Sequence, residues 1–395
     1  MNDTAAIYLD YAATTPMAPE AIEAMRPFLR EEFGNPSSIH SAGGRAARAL
    51  EAARERTAAL AGARSPEEIA FTSGGTESDA WAIVGRILAG EARHIVTSAV
   101  EHHAVLETVE AARRIYGCEA TVLPVDAQGL VDPDSLRRAI RDDTAVVSIM
   151  CANNETGTVQ PIRELARIAH ERGAVFHTDA VQAAGKIPID AEESGVDLLS
   201  LSAHKFYGPK GIGALYIRRG TRLEPLQRGG GQEGGRRAGT VNVPGAVGMG
   251  AAASLALERE AVDTPRERAL VELLWARLSS GIPRVRRNGH PSLRLPGILN
   301  VSVEGVDGEA LLMALDRLGI LVSTGSACAA GSMLPSHVLR ALGTPQGYIR
   351  GSLRFSLGRG SGEEDISRVA EHLPGIVERL RALAPGKAAQ PGATP

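Results

Sequence analysis

Short apolar strands alternate with helical stretches between residues 66 and 220, and this alternation constrains the fold more than any other feature of the chain. The candidate strands are Glu68–Thr72, His94–Ser98, Ala145–Met150, Ala174–Thr178, Leu198–Leu201 and Ala214–Ile217. The helical stretches among them are Glu77–Leu88, Ala104–Ile115, Asp134–Arg141 and Ile162–Glu171. This order predicts an α/β fold with a mostly parallel sheet and helices on both of its faces. Because such sheets bind ligands beyond the carboxyl ends of their strands, residues that directly follow a strand are the first candidates for a functional site.

The second half of the chain predicts a smaller unit joined to the first. A glycine-rich segment, Arg228–Gly239, interrupts the alternation, and a long helical region over about Ala246–Leu278 follows it. The later elements are α+β in character: strands Ile298–Val303, Leu321–Ser323 and Ser352–Ser356, helices Gly308–Leu318 and Glu363–Leu383, and a loop over 324–336. We therefore predict a large domain over 15–258, a small domain made of 1–14 and 259–385, and a disordered tail over 386–395.

The composition is that of a globular enzyme and argues against several other classes of protein. Apolar residues make up 44% of the chain and charged residues 23%, which is enough to bury a sizeable core. The net charge of −3 provides no field that would attract nucleic acid, and the segment Arg228–Gly239 lacks the interleaved aromatic residues of a nucleic-acid tract. No apolar run reaches the ~20 residues of a membrane span, and no basic and apolar leader begins the sequence.

The three cysteines, Cys118, Cys151 and Cys328, are too few and odd in number for a disulfide framework. No His/Cys cluster has the spacing of a zinc site, so we predict a cytoplasmic, reduced protein with no metal of its own. Cys328 lies in a run of small residues, Ser323–Met333, where no large side chain would bury it. An exposed thiol of this kind suits a nucleophile, although an incidental thiol is the alternative for a lone cysteine. Cys118 and Cys151 are predicted to be incidental.

Lysine is scarce in this chain, and one lysine stands directly after a predicted strand. Only four of the 43 basic residues are lysines. Arginine can replace lysine where only a positive charge is needed, but it cannot form a Schiff base. Lys205, which follows the strand Leu198–Leu201, is therefore a candidate Schiff-base residue, whereas Lys186, Lys210 and Lys387 are predicted to be solvated surface charges.

Three further groups follow predicted strands, and each has a plain alternative. The segment Ser73–Glu77 could hold a phosphate with its backbone N–H groups, or simply start a helix. His102 could stack on a cofactor ring and transfer a proton, but spacing does not distinguish it from the adjacent His103. Either histidine could instead be an ordinary polar residue on the surface. Asp179 could pair with a protonated pyridine nitrogen, as in pyridoxal phosphate enzymes, or cap the next turn.

These groups occur in order on successive strands. Taken together, they make the sequence resemble the class V aminotransferase fold (type I) of pyridoxal phosphate enzymes. Within that family it is similar to the first group of cysteine desulfurases, which implies a mostly parallel seven-stranded sheet and a smaller α+β domain. The motifs that carry the resemblance are Tyr8–Pro16, Gly34–His40, Phe71–Asp79, Asn153–Gly157, Gly229–Glu233, Ala238–Thr240, Gly325–His337 and Leu353–Arg359.

The resemblance implies a role for each site residue. Lys205 would carry pyridoxal 5'-phosphate as a Schiff base and move the substrate proton. His102 would stack on the ring. The remaining cofactor ligands would be Asp179 at the pyridine nitrogen, Gln182 at the ring oxygen with Asn154 nearby, and Gly75, Thr76, Ser202 and His204 at the phosphate, with Thr240 reaching the phosphate of a neighbouring subunit.

The resemblance also implies the reaction and its partners. Arg354 and Asn35, with Asn154, would bind the substrate L-cysteine, and the Cys328 thiolate would take its sulfur as a persulfide, leaving alanine. A homodimer with composite sites is implied, as are sulfur-acceptor proteins such as an iron–sulfur scaffold, with Cys328 as a transient cluster ligand. The alternatives are a selenocysteine lyase or aminotransferase on the same fold, or a non-catalytic subunit of a sulfur-transfer complex.

Overall fold

The computed structural model describes residues 6–325 and 335–383. Cys328, most of the predicted 324–336 loop and the predicted tail over 386–395 lie outside the described residues. Over the two described ranges, no helix combines the length and the apolar character that a membrane span requires.

Seven strands, numbered after a short N-terminal strand β1 (Ile7–Tyr8), form the central sheet. They are β2 (Ile69–Thr72), β3 (His94–Ser98), β4 (Glu119–Leu123), β5 (Thr144–Ser148), β6 (Val175–Asp179), β7 (Leu198–Ser202) and β8 (Gly213–Ile217). Their order is β2-β8-β7-β6-β5-β3-β4. β8 runs antiparallel to its neighbours β2 and β7, and the other pairs are parallel. The predicted mostly parallel, seven-stranded sheet is confirmed, although the sequence pattern did not predict β4.

Helices follow the strands, as the alternation predicts, and two more precede them. The helices of this part are α1 (Pro19–Arg30), α2 (Ser41–Ala61), α3 (Gly75–Leu88), α4 (His103–Tyr116), α5 (Pro133–Ala139), α6 (Ile162–His170) and α7 (Ala191–Ser194). Local chemistry defines their ends: α4 is capped by His102 and stops at Gly117, whose φ of 67° is left-handed. α3 directly follows β2 and packs against β5, β6, β7 and β8, so its first turn lies at the edge of the sheet where β2 ends.

The C-terminal part contains a three-stranded antiparallel sheet. Its strands, in the order β12-β10-β9, are β9 (Val285–Asn288), β10 (Ile298–Val303) and β12 (Ser352–Ser356), while β11 (Ile320–Leu321) pairs in parallel with β1. The helices are α9 (Gly308–Asp316), α10 (His337–Ala341), α11 (Gln346–Ile349) and α12 (Glu363–Leu383). An α+β unit follows the parallel sheet, as predicted.

Two large apolar clusters share one long helix, whose first half packs in one cluster and whose second half packs in the other. The first extends through the central sheet from Ala12 to Ile298, and the second joins Ile7 and Leu9 to residues between Leu270 and Val377. The helix α8 (Val243–Gly281) contributes residues 246–256 to the first cluster and 270–278 to the second. Both cores therefore share α8, and the predicted division of the chain at residue 258 stays a prediction.

A buried ion pair attaches the glycine-rich segment to the central sheet. Arg54 in α2 donates to both carboxylate oxygens of Glu233, at 2.6 and 2.9 Å, and the two side chains expose only 7% and 2% of their surface. Glu233 also accepts the backbone N–H of Phe71 at 2.9 Å, and Arg54 donates to the carbonyl of Ile69 at 2.8 Å. Because both charges are desolvated, the loss of Arg54 leaves the Glu233 carboxylate buried without its ion-pair partner, whereas Arg54 has a second contact, with Glu51 at 3.3 Å.

We expect Arg54→Met to lower the free energy of unfolding by about 3 kcal/mol, because Glu233 would remain buried and unpaired. The shift of the urea denaturation midpoint measures this. The matched control is Arg113→Met, which breaks an exposed pair with Glu110 and should cost about 0.5 kcal/mol or less. Equal shifts in the two variants would show that the buried pair does not stabilise the fold.

Candidate active site

A cavity of about 290 Å³ lies at the edge of the central sheet where the parallel strands end. Its size is typical of a small-molecule site. Most of the residues predicted from the sequence line it: Gly75, Thr76, His102, Asn154, Asp179, Gln182, Ser202, His204, Lys205 and Arg354. The structure therefore brings together side chains from both halves of the chain. The lining is completed by Ala12, Ala13, Asp79, Met150, Val181 and Gly325.

Lys205 is held at this cavity by the N-terminal segment. It ends a single 3-10 turn, Ala203–Lys205, that directly follows β7. Its Nζ donates to the carbonyl oxygens of Ala12 at 2.7 Å and Ala13 at 2.9 Å. A carbonyl can only accept, so these two oxygens hold the amine at one place in the cavity wall.

Asp179 and His102 occupy the ends of two further parallel strands. Asp179 is the last residue of β6, and its Oδ1 accepts the N–H of Val181 at 2.8 Å. Burial raises the pKa of Asp179, and the nearby His102 and Lys205 oppose that rise. His102 accepts the N–H of Ala104 at Nδ1, at 3.1 Å, so the proton of its neutral ring lies on Nε2. Burial also lowers the pKa of His102, which favours that neutral ring.

The start of α3 forms one end of the cavity. Among the described residues no side chain caps this helix, so its first N–H groups, at Gly75 and Thr76, are suited to an anion. A Cβ on Gly75 would lie 2.7 Å from Cγ2 of Val181, which explains the glycine. His204 faces the same cavity and its Nδ1 lies 3.1 Å from Oγ1 of Thr14. Burial lowers the pKa of His204 to about 4.

Arg354 enters the cavity from the smaller sheet. It lies in the middle of β12 and is 2% exposed. Its Nη2 donates to Oδ1 of Asp10 at 2.7 Å, and its Nη1 donates to the carbonyl of Asn154 at 3.0 Å. A guanidinium held in this way presents a fixed planar cation to the cavity.

Two predicted residues do not line the cavity of their own chain. Asn35 is exposed, and its Oδ1 accepts the N–H of Ser37 at 2.9 Å. Thr240 is also exposed. Of the two adjacent histidines, His102 lines the cavity, whereas the ring of His103 lies 4.8 Å from that of His337.

Glu155 contacts both described ends of the segment that contains Cys328. Its Oε2 accepts the hydroxyl of Ser336 at 2.6 Å, and a Cβ on Gly325 would lie 2.9 Å from that same oxygen. Glu155 is buried, and burial raises its pKa, which the Ser336 hydrogen bond and Arg354 oppose. One buried carboxyl group is thus shared by the residues that precede and follow the predicted nucleophile. No pattern in the sequence predicts this contact.

Asp79 is another lining residue without a predicted role. It is buried, and its Oδ1 lies 3.6 Å from Nε2 of His177. Burial lowers the pKa of His177 to about 3, and its ring nitrogens lie 2.8 and 3.0 Å from the hydroxyls of Ser148 and Ser200. His177 is therefore neutral and supplies no counter-charge. Burial and the negative charge of Asp179 raise the pKa of Asp79 well above its usual range, which favours the protonated form of Asp79.

The prediction that Lys186 is a solvated surface charge is wrong. Its side chain is partly buried, and its Nζ donates to Oε1 of Gln182 at 3.1 Å. Lys210, by contrast, is exposed as predicted. The turn Gly185–Lys186 gives no sign in the sequence that it packs against the site.

Comparison with known proteins identifies the family. The aminotransferase class V family model matches residues 7–369. The chain is 51% identical to the cysteine desulfurase IscS of Dictyoglomus turgidum, over 96% of this chain and 97% of the relative. It is 52% identical to the cysteine desulfurase IscS of Methanosarcina thermophila, over 97% of this chain and 95% of the relative. A solved structure described as a NifS-like protein has a TM-score of 0.89 at 38% identity, and the match covers 95% of this chain and all of the other.

The chain belongs to the cysteine desulfurases of the aminotransferase class V family. The family predicted from the motifs is confirmed, and so is the predicted enzyme class. This desulfurase uses pyridoxal 5'-phosphate, takes L-cysteine as its substrate and passes sulfur to an acceptor.

The residues of the cavity fit pyridoxal 5'-phosphate. The uncapped N-terminus of α3 and the glycine at position 75 leave room and N–H donors for a phosphate. The buried carboxyl of Asp179 suits a pyridinium, and Lys205 supplies the amine. The charges and donors of this cavity thus suit the phosphate, the pyridine nitrogen and the aldehyde of the cofactor.

We expect the two buried aspartates to differ sharply in their effect on cofactor binding. Asp79→Asn replaces a neutral carboxyl by a neutral amide, so the dissociation constant of pyridoxal 5'-phosphate should change by less than about twofold. Asp179→Asn removes the charge that would pair with the pyridine nitrogen and should weaken binding by about tenfold or more. Titration of each apoprotein with the cofactor, followed by absorbance, measures both constants. Equal losses in the two variants would contradict this assignment of protonation states.

Proposed function

We propose that the residues lining this cavity carry the cysteine desulfurase reaction, each in the role that the motifs predict. The observation that supports this most is the convergence of Lys205, Asp179, His102 and Arg354 on one cavity. The cofactor would be held by Asp179 at its pyridine nitrogen, by Gln182 and Asn154 near its ring oxygen, by His102 on its ring face, and by Gly75, Thr76, Ser202 and His204 at its phosphate.

Lys205 is the residue that attaches the cofactor and transfers the substrate proton. Pyridoxal 5'-phosphate, when bound, withdraws electrons from the amino acid and makes its Cα proton acidic. The Lys205 amine would take that proton and later return it, and the carbonyls of Ala12 and Ala13 hold its Nζ at the wall of the cavity. The neutral His102 ring, with its proton on Nε2, is suited to donate to an oxygen or to stack without adding charge.

Arg354 binds the carboxylate of L-cysteine. Its fork of N–H groups can form two parallel hydrogen bonds with a carboxylate, and this fixes the orientation of the substrate. Asp10 keeps the guanidinium in place at 2.7 Å and balances its charge in the absence of substrate. An analogue of cysteine that lacks the α-carboxylate should therefore bind poorly.

Cys328 is the nucleophile that receives the sulfur. Its thiolate attacks the sulfur of the bound cysteine, an S–S bond forms, and the C–S bond breaks with its electron pair remaining on carbon. A proton then completes the methyl group, so one cysteine thiol and the Cys328 thiol become alanine and a persulfide without any external oxidant. The hydrogen bond between Ser336 and Glu155 holds the chain at a position that follows Cys328 in sequence.

The persulfide sulfur then passes to acceptor proteins. An iron–sulfur scaffold is the acceptor that the family resemblance favours, with Cys328 as a transient cluster ligand. The described cysteines Cys118 and Cys151 are unpaired thiols, as a reducing cytoplasm would keep them.

Cys328→Ala should retain the visible absorbance of the bound cofactor and lose both persulfide formation and alanine production by at least about a hundredfold. Mass spectrometry of the intact protein after incubation with L-cysteine detects the persulfide, and amino-acid analysis detects alanine. Lys205→Ala is the matched control, which should lose the absorbance as well. Sustained, cysteine-dependent alanine production by Cys328→Ala under reducing conditions would rule out Cys328 as the nucleophile.

We also propose that the active enzyme is a homodimer and that Asn35 and Thr240 complete the site of the partner subunit. Both are exposed and neither lines its own cavity. Two large apolar side chains near Asn35, Phe33 and Ile39, are 81% and 106% exposed, and they would be buried if the partner subunit covered this surface.

The double variant Phe33→Asp/Ile39→Asp should shift the enzyme from twice the mass of one chain to the mass of a single chain, because two charges would be buried in the interface. Sedimentation equilibrium measures this. Met313→Asp, at a residue that is 60% exposed on α9, is the control and should leave the mass unchanged. A wild-type enzyme that sediments as a single chain would contradict the dimer.

A further inference from the structure

Lys186 contacts the site through Gln182, although it does not line the cavity. Its Nζ donates to Oε1 of Gln182 at 3.1 Å. Gln182 is 5% exposed, and its Nε2 donates to the carbonyl of Ala12 at 2.9 Å. The same carbonyl accepts Nζ of Lys205 at 2.7 Å. A continuous chain of hydrogen bonds therefore joins Lys186, Gln182, Ala12 and Lys205.

The two neighbours of Gln182 allow its amide only one orientation. An amine can donate to the amide oxygen, and a backbone carbonyl can only accept from the amide nitrogen. The reversed amide would place two donors together at Lys186 and two acceptors together at Ala12. Each mismatch in a buried site costs about as much as a lost hydrogen bond. Lys186 and Ala12 thus direct the remaining N–H of Gln182, which is the one available to an oxygen in the cavity.

The position of Lys186 is itself fixed by packing. The preceding residue, Gly185, has a left-handed φ of 70°, and a Cβ there would lie 2.9 Å from Cβ of Ala256 in α8. From α8, Oγ1 of Thr264 donates to the carbonyl of Lys186 at 2.9 Å. These contacts fix the backbone of Lys186 against α8.

Charged groups from several elements act on the Lys186 amine. Glu267 of α8 favours its protonated form, whereas Lys205 and Arg354 disfavour it. Burial is the largest effect and lowers the pKa of Lys186 to about 7. Both the ammonium and the neutral amine carry N–H donors for the Gln182 oxygen. Only the ammonium excludes the reversed amide at Lys186, because the neutral amine has a lone pair, whereas the Ala12 carbonyl excludes it in either charge state.

We propose that Lys186 is a positioning residue for the cofactor: it orients the Gln182 amide so that an N–H faces the ring oxygen of pyridoxal 5'-phosphate. This rests on the role proposed above for Gln182. Lys186 also links that ligand, through the Ala12 carbonyl, to the Lys205 amine. It is distinct from a catalytic residue because it is not among the residues that line the cavity.

A double-mutant cycle tests the proposal. The dissociation constant of pyridoxal 5'-phosphate is measured by absorbance titration of four apoproteins: wild type, Lys186→Met, Gln182→Ala and the double variant. Lys186→Met should weaken binding by about tenfold in the wild-type background and by less than about twofold in the Gln182→Ala background. The visible absorption band of the bound cofactor should shift in both single variants, because each disturbs the bond to the ring oxygen.

Two further variants keep the result interpretable. Lys186→Arg retains a donor and should recover binding to within about threefold of wild type. Lys186→Ala, which also removes the donor, replaces Lys186→Met in the cycle if that variant does not fold. Lys210→Met, at an exposed lysine, is the matched control and should bind like wild type. Urea denaturation of each apoprotein separates a loss of binding from a loss of fold.

Distinct outcomes would overturn the two proposals. An equal loss on Lys186→Met in both backgrounds would show that Lys186 does not act through Gln182. Unchanged affinity and an unchanged absorption band in Lys186→Met would also overturn the inference. If Gln182→Ala alone bound the cofactor like wild type, the proposed role of Gln182 would fail first, and the role of Lys186 with it.

Discussion

The parallel direction of the strands is the constraint on which the site depends. Because β2, β3, β5, β6 and β7 point the same way, their carboxyl ends meet at one edge, and each is followed by a residue of the cavity. Those residues are Gly75, His102, Asn154, Asp179 and Lys205. Positions separated by 130 residues in sequence thereby face one small volume, and no single loop has to supply the chemistry.

That convergence has an energetic cost, because it concentrates ionisable groups where water is excluded. Glu101, for example, is fully buried, and burial raises its pKa to about 8. It is stabilised by neutral donors: the hydroxyl of Ser98 lies 2.5 Å from Oε1, and the N–H of Met150 lies 3.0 Å from both oxygens. Asp79 is handled in a similar way, by protonation rather than by a counter-ion. Burial therefore limits the negative charge that gathers around Asp179, whose carboxylate is proposed above to pair with the pyridine nitrogen.

The strand-end residues could be predicted from the sequence, because a run of apolar residues ends there and an ionisable residue stands at or just after its end. Lys205 after β7 and Asp179 at the end of β6 are of this kind. β4 was not predicted because its side chains are only partly buried and Glu119 breaks the apolar run. The carbonyls of Ala12 and Ala13 have no signature in the sequence, because every residue carries a carbonyl.

Long-range pairs were equally invisible, since spacing along the chain says nothing about them. The contact between Glu155 and Ser336 spans 181 residues, and it forms only once the smaller sheet lies against the larger one. Lys186 was misassigned for the same reason: a Gly-Lys-Ile-Pro turn has the composition of a surface turn, and only its packing against α8 buries the amine. Residue types predicted the chemistry of the site, and tertiary contacts determined which polar groups orient it.

The N-terminal segment connects the parts of the site that the two sheets provide. Asp10 binds Arg354 of the smaller sheet, Ala12 and Ala13 hold Lys205 of the larger one, and Thr15 donates its hydroxyl to the carbonyl of His204 at 2.9 Å. A shift of this segment would move the Arg354 guanidinium and the Lys205 amine together. In the roles proposed above, the distance between these two groups would determine where the Cα of a bound amino acid can lie. A short stretch of backbone therefore sets that distance, and substitutions of Ala12 that keep its backbone conformation leave the carbonyl in place.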